Sequence, residues 1–125
     1  MSLKTYAVPL TLVAGTASIA TATKSVPVSG YLKGVSVTAG AMDGSDTYTV
    51  AIADNYGITV FSRATLAESS TSTIWSDKYN ELGTTIVDGH LLDTPLAGPV
   101  TVTITASAQQ DDANESYTVY IYYES

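Results

Sequence analysis

Strict alternation of apolar and hydroxyl residues does most to limit the folds open to this chain. In "VTVTITA", Val100, Val102, Ile104 and Ala106 alternate with Thr101, Thr103 and Thr105. Successive side chains of an extended strand point to opposite faces, so this run offers one face to a core and keeps a pure threonine face outside. The same period of two runs through "TYAVPLTL", where Tyr6, Val8, Leu10 and Leu12 share a face, and through "TYTVAIA" and "SYTVYIYY". No stretch shows a comparable helical period, so the apolar residues are placed for sheets.

Turn chemistry divides the alternating runs. Pro9 cannot donate to a ladder, which puts the first strand at an edge or beside a bulge. "ASIATATKSVPVSG" is small and polar and reads as a loop or a second short edge strand. "YLKGVSV" and "TYTVAIA" flank the Gly/Asp-rich "TAGAMDGSD". Asp54 to Gly57 reads as a tight hairpin link that turns Tyr48, Val50, Ile52, Ile58 and Val60 inward and leaves Phe61 and Arg63 on the outward phase. From Ala64 to Pro99 the pattern weakens. A long connection is expected there, with short strands around Thr84 to Val87 and His90 to Leu92 and a helical turn near Asp77 to Leu82. "SAQQDDANES" then leads into a final strand, Tyr117 to Tyr123.

At 125 residues the chain has the length of one domain, 1–125, with a single core. Roughly seven or eight short strands favour an all-β fold, a two-sheet antiparallel sandwich that is jelly-roll-like or immunoglobulin-like. Without cysteine, neither disulfides nor thiolate metal sites hold it together. Lys4 before "YAVPLTLVAG" imitates a secretory signal, but Pro9 and the threonines interrupt its apolar part, so the segment is expected to stay. No stretch approaches the ~20 consecutive apolar residues of a membrane span, and a soluble protein is expected.

Twelve acids against five bases give a formal net charge of -7, with no Lys/Arg cluster to hold phosphates, so nucleic acid is excluded as a partner. Catalysis has little to stand on. His90 is the only histidine, and although Asp88 and Asp93 lie near it, "VDGHLLD" reads first as a turn entering a strand. No G-x-S-x-G elbow, H-E-x-x-H or phosphate loop occurs. Asp43 and Asp46, or Asp111, Asp112 and Glu115, offer oxygen ligands on loops but miss the EF-hand spacing, and they read as solvating charge. A non-enzymatic protein with no cofactor and no metal is expected. Trp75 and Tyr79, in the long connection, are candidates for a sugar-stacking platform or for a plug at one end of the sandwich.

The closing strand raises a different question. Tyr117, Val119, Ile121 and Tyr123 fill one face, which leaves Tyr120 and Tyr122 on the other. If this strand is central, they stand beside the Thr101, Thr103 and Thr105 row and pack across strands as surface residues. Contiguous exposed aromatic area on a monomer is more often used, and tyrosine is enriched at interfaces. Tyr120, Tyr122, Phe61 and Arg63 are therefore the expected protein-interface residues.

"GYLKGVSVTAG", "DTYTVAIADNYGITVFSRA" and "LAGPVTVTITASAQQDDANESYTVYIYY" together resemble the small β-sandwich structural proteins of tailed bacteriophages. There, a strand ending in I-x-D-x-x-G-x-x-V precedes a G-P-V-x-V-x-I strand, a polar loop and an aromatic-rich last strand. Here the first pattern is Ile52, Asp54, Gly57 and Val60, and the second begins at Gly98, Pro99 and Val100. The middle connection and the start of the chain are unmatched. The resemblance implies assembly: a capsid decoration or cement protein on the capsid exterior of the virion, bound to the major capsid protein or other virion proteins. A homo-oligomer, foremost a trimer, is expected. The alternative is a carbohydrate-binding module of a tail fibre or secreted protein.

Overall fold

The alternating runs become two stacked antiparallel sheets in a computed structural model, described over residues 3–15, 20–42, 46–75, 94–110 and 114–125. The described residues form nine strands: β1 (Leu3–Leu12), β2 (Thr21–Val26), β3 (Gly30–Thr38), β4 (Thr47–Ala53), β5 (Thr59–Ala67), β6 (Thr71–Trp75), β7 (Thr94–Leu96), β8 (Val100–Ala106) and β9 (Glu115–Glu124). The first sheet has the order β1-β9-β3-β6, with β7 also pairing β3, and the second has the order β2-β8-β4-β5.

The pairs are nested. β1 pairs β9, β2 pairs β8, β3 pairs β6 and β4 pairs β5, as in one long hairpin whose tip is the β4–β5 turn. Two further ladders, β3 with β9 and β4 with β8, roll that hairpin into a closed sandwich. This is a jelly roll. The immunoglobulin-like alternative drops out, because that sandwich places its second and fifth strands side by side, whereas β2 and β5 here occupy opposite edges of one sheet.

Alternation decides what lies between the sheets. Val8, Leu10 and Leu12 of β1, Val35 and Val37 of β3, and Tyr117, Val119 and Ile121 of β9 meet Tyr48, Val50 and Ile52 of β4 and Val100, Val102 and Ile104 of β8 in one buried cluster. Each fully buried aliphatic side chain contributes about 1.5–3 kcal/mol of transfer free energy. β1 and β2 lie at edges, as Pro9 and the weak pattern of "TATKSV" suggest.

Three expectations fail, each for a local reason. The β4–β5 turn runs one residue further than Gly57. Asp54 N–H donates to the Ile58 carbonyl, and Asp54 Oδ1 accepts from Ile58 N and Tyr56 N, both at 2.9 Å. Gly57 takes the left-handed φ of 79° that this turn needs. Ile58 is thereby held in solvent, 62% exposed, instead of turning inward. The β4–β5 register then skips Val60, pairing Ala53 with Thr59 and Ile52 with Phe61, so the bulge reverses the phase of the next part of β5. Phe61 is 3% exposed and belongs to the core. Arg63 pairs Val50, on the inward phase, and is half-buried. Finally, part of the expected long connection is strand, since β5 continues to Ala67 and β6 and β7 both pair β3. The strands expected at 84–87 and 90–92 and the turn at 77–82 lie outside the described residues.

Candidate functional site

The outer face of the first sheet answers the question of what covers Tyr120 and Tyr122. β9 is central, between β1 and β3, so both rings have a strand on either side. Their neighbours are small: Tyr120 lies across from Ala7 and Ser36, and Tyr122 across from Thr5 and Gly34. The expected neighbours Thr101, Thr103 and Thr105 belong to the other sheet. Both tyrosines are half-buried, and Ser36, on this outward face, is only 5% exposed. Large rings beside small side chains cover them and lose much of their own exposure. Ser36 Oγ also lies 3.1 Å from Thr73 Oγ1 on β6, which satisfies it.

That face carries no charge over most of its extent. The rows run through Thr5, Ala7, Pro9 and Thr11 on β1, Ser116, Thr118, Tyr120 and Tyr122 on β9, and Gly34, Ser36 and Thr38 on β3. Glu124 stands at its margin beside Lys33, with Nζ and Oε1 3.9 Å apart. The register continues Tyr122 and Gly34 into the position of Trp75 at the end of β6, which places Trp75 in a strand of this sheet and not in a connection.

The outer face of the second sheet is also uncharged. Across β2, β8, β4 and β5 its rows read Thr21–Thr105–Thr49, Thr23–Thr103–Ala51–Ser62 and Ser25–Thr101–Ala53–Thr59. Every position in these rows is Thr, Ser or Ala, and Thr23 Oγ1 lies 3.3 Å from Thr103 Oγ1 across the strands.

Three cations sit instead on edge strands, in the inward phase. Lys4 of β1 pairs Tyr123, Lys24 of β2 pairs Val102, and Arg63 of β5 pairs Val50. Lys4 and Lys24 are exposed, with Lys4 Nζ donating to Ser125 Oγ at 2.7 Å, and Arg63 is half-buried; a second strand added at any of these edges would have to desolvate the charge, which makes that docking costly. Pro9 on β1 and the bulges of β5 act in the same direction. Thus the edges at β1, β2 and β5 resist pairing while the faces do not. Sequence reasoning missed this pattern; Lys24, between Ala22 and Val26, and Lys4, ahead of Tyr6 and Val8, share an apolar phase and could have signalled it, whereas the phase of Arg63 is set by the bulge at Val60.

Inside, Tyr48 and Tyr117 touch edge to face, with centroids 5.3 Å apart and planes at 65°. Neither hydroxyl has a hydrogen-bond partner among the described residues. Burial pushes the Tyr48 phenol up, with nearby Ser72 offsetting part of the rise. The Tyr117 phenol is pushed up to about 12, first by burial and then by the neighbouring Tyr48, Glu115 and Glu68. Glu68 itself accepts from Met42 N.

Among the described residues no three or more His, Asp or Glu side chains come together to hold a metal. Asp46 accepts from Gln110 Nε2 at 2.8 Å. His90, Asp43, Tyr79, Asp111 and Asp112 lie outside the described residues.

No protein-family model matches the chain, and no curated protein matches it by sequence. Solved structures that align with this chain include proteins of virus particles. The structure of the infectious bursal disease virus Gt strain aligns over 97% of this chain and 32% of its own, with 13% identity and a TM-score of 0.40. The virus-like particle of the extra small virus of the prawn Macrobrachium rosenbergii aligns over 100% of this chain and 81% of its own, with 16% identity and a TM-score of 0.30. A chain from the complex of the Aeromonas sobria serine protease with its chaperone aligns over 100% and 28%, with 8% identity and a TM-score of 0.47. This chain thus spans about a third of the length of the first of these.

Proposed function

We propose that this chain is a non-enzymatic structural protein of a virion, a capsid decoration or cement protein of the tailed-phage kind that docks on the outside of the head and stabilises it. The observation that carries the reading is the distribution of charge. A chain of net charge -7 keeps both sheet faces largely neutral and places Lys4, Lys24 and Arg63 on edge strands. Neutral faces can be desolvated without burying charge, and the half-buried Tyr120 and Tyr122 give the first face the aromatic area that interfaces favour. Its partner is the major capsid protein or another virion protein.

The test is co-sedimentation of the purified protein with undecorated particles of the virus that encodes it. Wild type is expected to bind, and a folded Tyr120→Ser/Tyr122→Ser variant to lose binding. Retained binding by that variant would mean that docking uses another face, and failure of wild type to bind would overturn the function.

A second reading rests on the register that aligns Tyr122, Gly34 and Trp75 across three strands. Sugars stack on aromatic rings, so Trp75 and nearby tyrosines would form the platform of a carbohydrate-binding module of a tail fibre or secreted protein. Trp75 is the only tryptophan, so quenching of its fluorescence by added oligosaccharides reports this directly.

A further inference from the structure

We infer that β6 is the edge through which two copies of this chain join, strand against strand about a two-fold axis, into one continuous sheet. The pairing goes beyond the virion reading and does not depend on it.

Five strands lie at sheet margins, and four of them are guarded. β1 carries Lys4 and Pro9, β2 carries Lys24, and β5 carries Arg63 and two register shifts against β4. β7 is three residues long with Pro95 in its middle. Each feature hinders strand addition, through a charge that must be desolvated, a missing N–H, a kink or a lack of length. β6 has none of them. Its residues Thr71 to Trp75 include neither charge nor proline, and its register against β3 runs unbroken from Thr38 and Thr71 to Gly34 and Trp75. Among the described residues β3 is its one strand neighbour, and Thr71 and Thr73 are exposed.

An open edge fixes the kind of occupant, because its outward N–H and C=O groups are answered by another extended strand. The guards then name which strand. On a neighbouring copy β1, β2, β5 and β7 are all defended, so the strand that fits β6 at least cost is the other copy's β6. Closure agrees with this. A single open edge joined to its like leaves no edge free and stops at a pair, whereas β6 against a different edge would repeat head to tail and grow a fibre. A pair, in place of the trimer expected from the resemblance, is what one open edge builds.

The residues suit a two-fold register. Antiparallel pairing centred on Thr73 sets Thr73 opposite Thr73, Ser72 opposite Ile74 and Thr71 opposite Trp75. Threonine opposite threonine, and a β-branched residue opposite an aromatic one, are favourable cross-strand pairs. The threonine pair also extends a row that already holds a hydroxyl contact, Ser36 Oγ to Thr73 Oγ1 at 3.1 Å. Main-chain hydrogen bonds along five residues hold the contact, so the pair is weak and concentration-dependent.

Sedimentation velocity from about 10 μM to 1 mM, the range in which a weak contact titrates, is combined with hydrogen exchange of the β6 amides. Wild type should move toward a dimer, with exchange in β6 slowing as concentration rises. Thr73→Lys sets like charges opposite each other and should raise the dissociation constant at least ~10-fold, with an unchanged far-ultraviolet circular dichroism spectrum. Thr23→Lys, the same charge change at an exposed position of β2, should associate like wild type. A wild type that stays monomeric throughout, a dimer without slowed exchange in β6, a folded Thr73→Lys that associates like wild type, or an equal loss in Thr23→Lys overturns the inference. Should Thr73→Lys fail to fold, Thr71→Lys takes its place and is read in the same way. The Tyr120→Ser/Tyr122→Ser variant separates this pairing from particle docking, because it should lose particle binding and keep self-association.

Discussion

Replacing Tyr117 by Phe should stabilise the protein, although the residue is 1% exposed and belongs to the core. The ring fills space and meets Tyr48 edge to face, a contact worth about 0.5–1.5 kcal/mol that phenylalanine keeps. The hydroxyl is buried with no partner among the described residues, which costs about 1–3 kcal/mol relative to water. Its removal therefore stabilises by about 1 kcal/mol after relaxation, a rise of roughly 3–5 °C in Tm for a domain of this size. Alkaline pH adds a second signature. The folded phenol titrates near 12 and the unfolded one near the ordinary 10.0, so the fold favours the protonated form. Below pH 10 both states hold the proton and its stabilising contribution is complete. Between about pH 10 and 12 the unfolded chain ionises first, and stability falls by up to about 2–3 kcal/mol from this residue. Urea unfolding followed by circular dichroism at pH 7, 9, 10.5 and 11.5 measures both. Tyr117→Phe should have the higher midpoint at pH 7 and a shallower alkaline decline. A loss of more than about 1 kcal/mol at pH 7 would mean that the hydroxyl is bonded after all, and the expected gain would be wrong in sign.

Phe61→Ala should cost about 3–4 kcal/mol in urea unfolding, as expected for a buried ring, whereas Tyr120→Ser should cost about 1 kcal/mol or less. Gly30→Ala should fail to fold or lose more than ~3 kcal/mol, because φ at Gly30 is 127° and a Cβ there would collide with the Glu124 carbonyl oxygen; thermal unfolding checks it. Asp54→Ala should cost about 1–2 kcal/mol and speed amide exchange at Tyr56 and Ile58, whose N–H groups lose their acceptor. Lys24→Val should leave Tm within a few degrees yet increase light scattering at high concentration, since it removes the charge that guards the β2 edge.

Much of the fold was legible because period two is a direct imprint of strand geometry. The alternation of β1, β4, β8 and β9 identified their buried faces, and Pro9 marked β1 as an edge strand. What the alternation does not carry is phase across an irregularity. One skipped residue at Val60 turned Phe61 from an expected interface residue into core and put Arg63 on the inward phase. Pairing partners were equally hidden, since register between distant strands leaves no local mark. Tyr120 and Tyr122 therefore gained Ala7, Ser36, Thr5 and Gly34 as neighbours in place of the Thr101 row. The uncharged faces emerged only once strand order showed which threonines and alanines share a surface.

Whether the chain decorates a capsid is decided by mass spectrometry of purified particles of the encoding virus, combined with labelling by an antibody against this chain. A decoration protein should be present in intact particles at a fixed ratio to the major capsid protein, with label on the outside of the head. Particles that lack the chain, or that carry it only inside, would contradict that role.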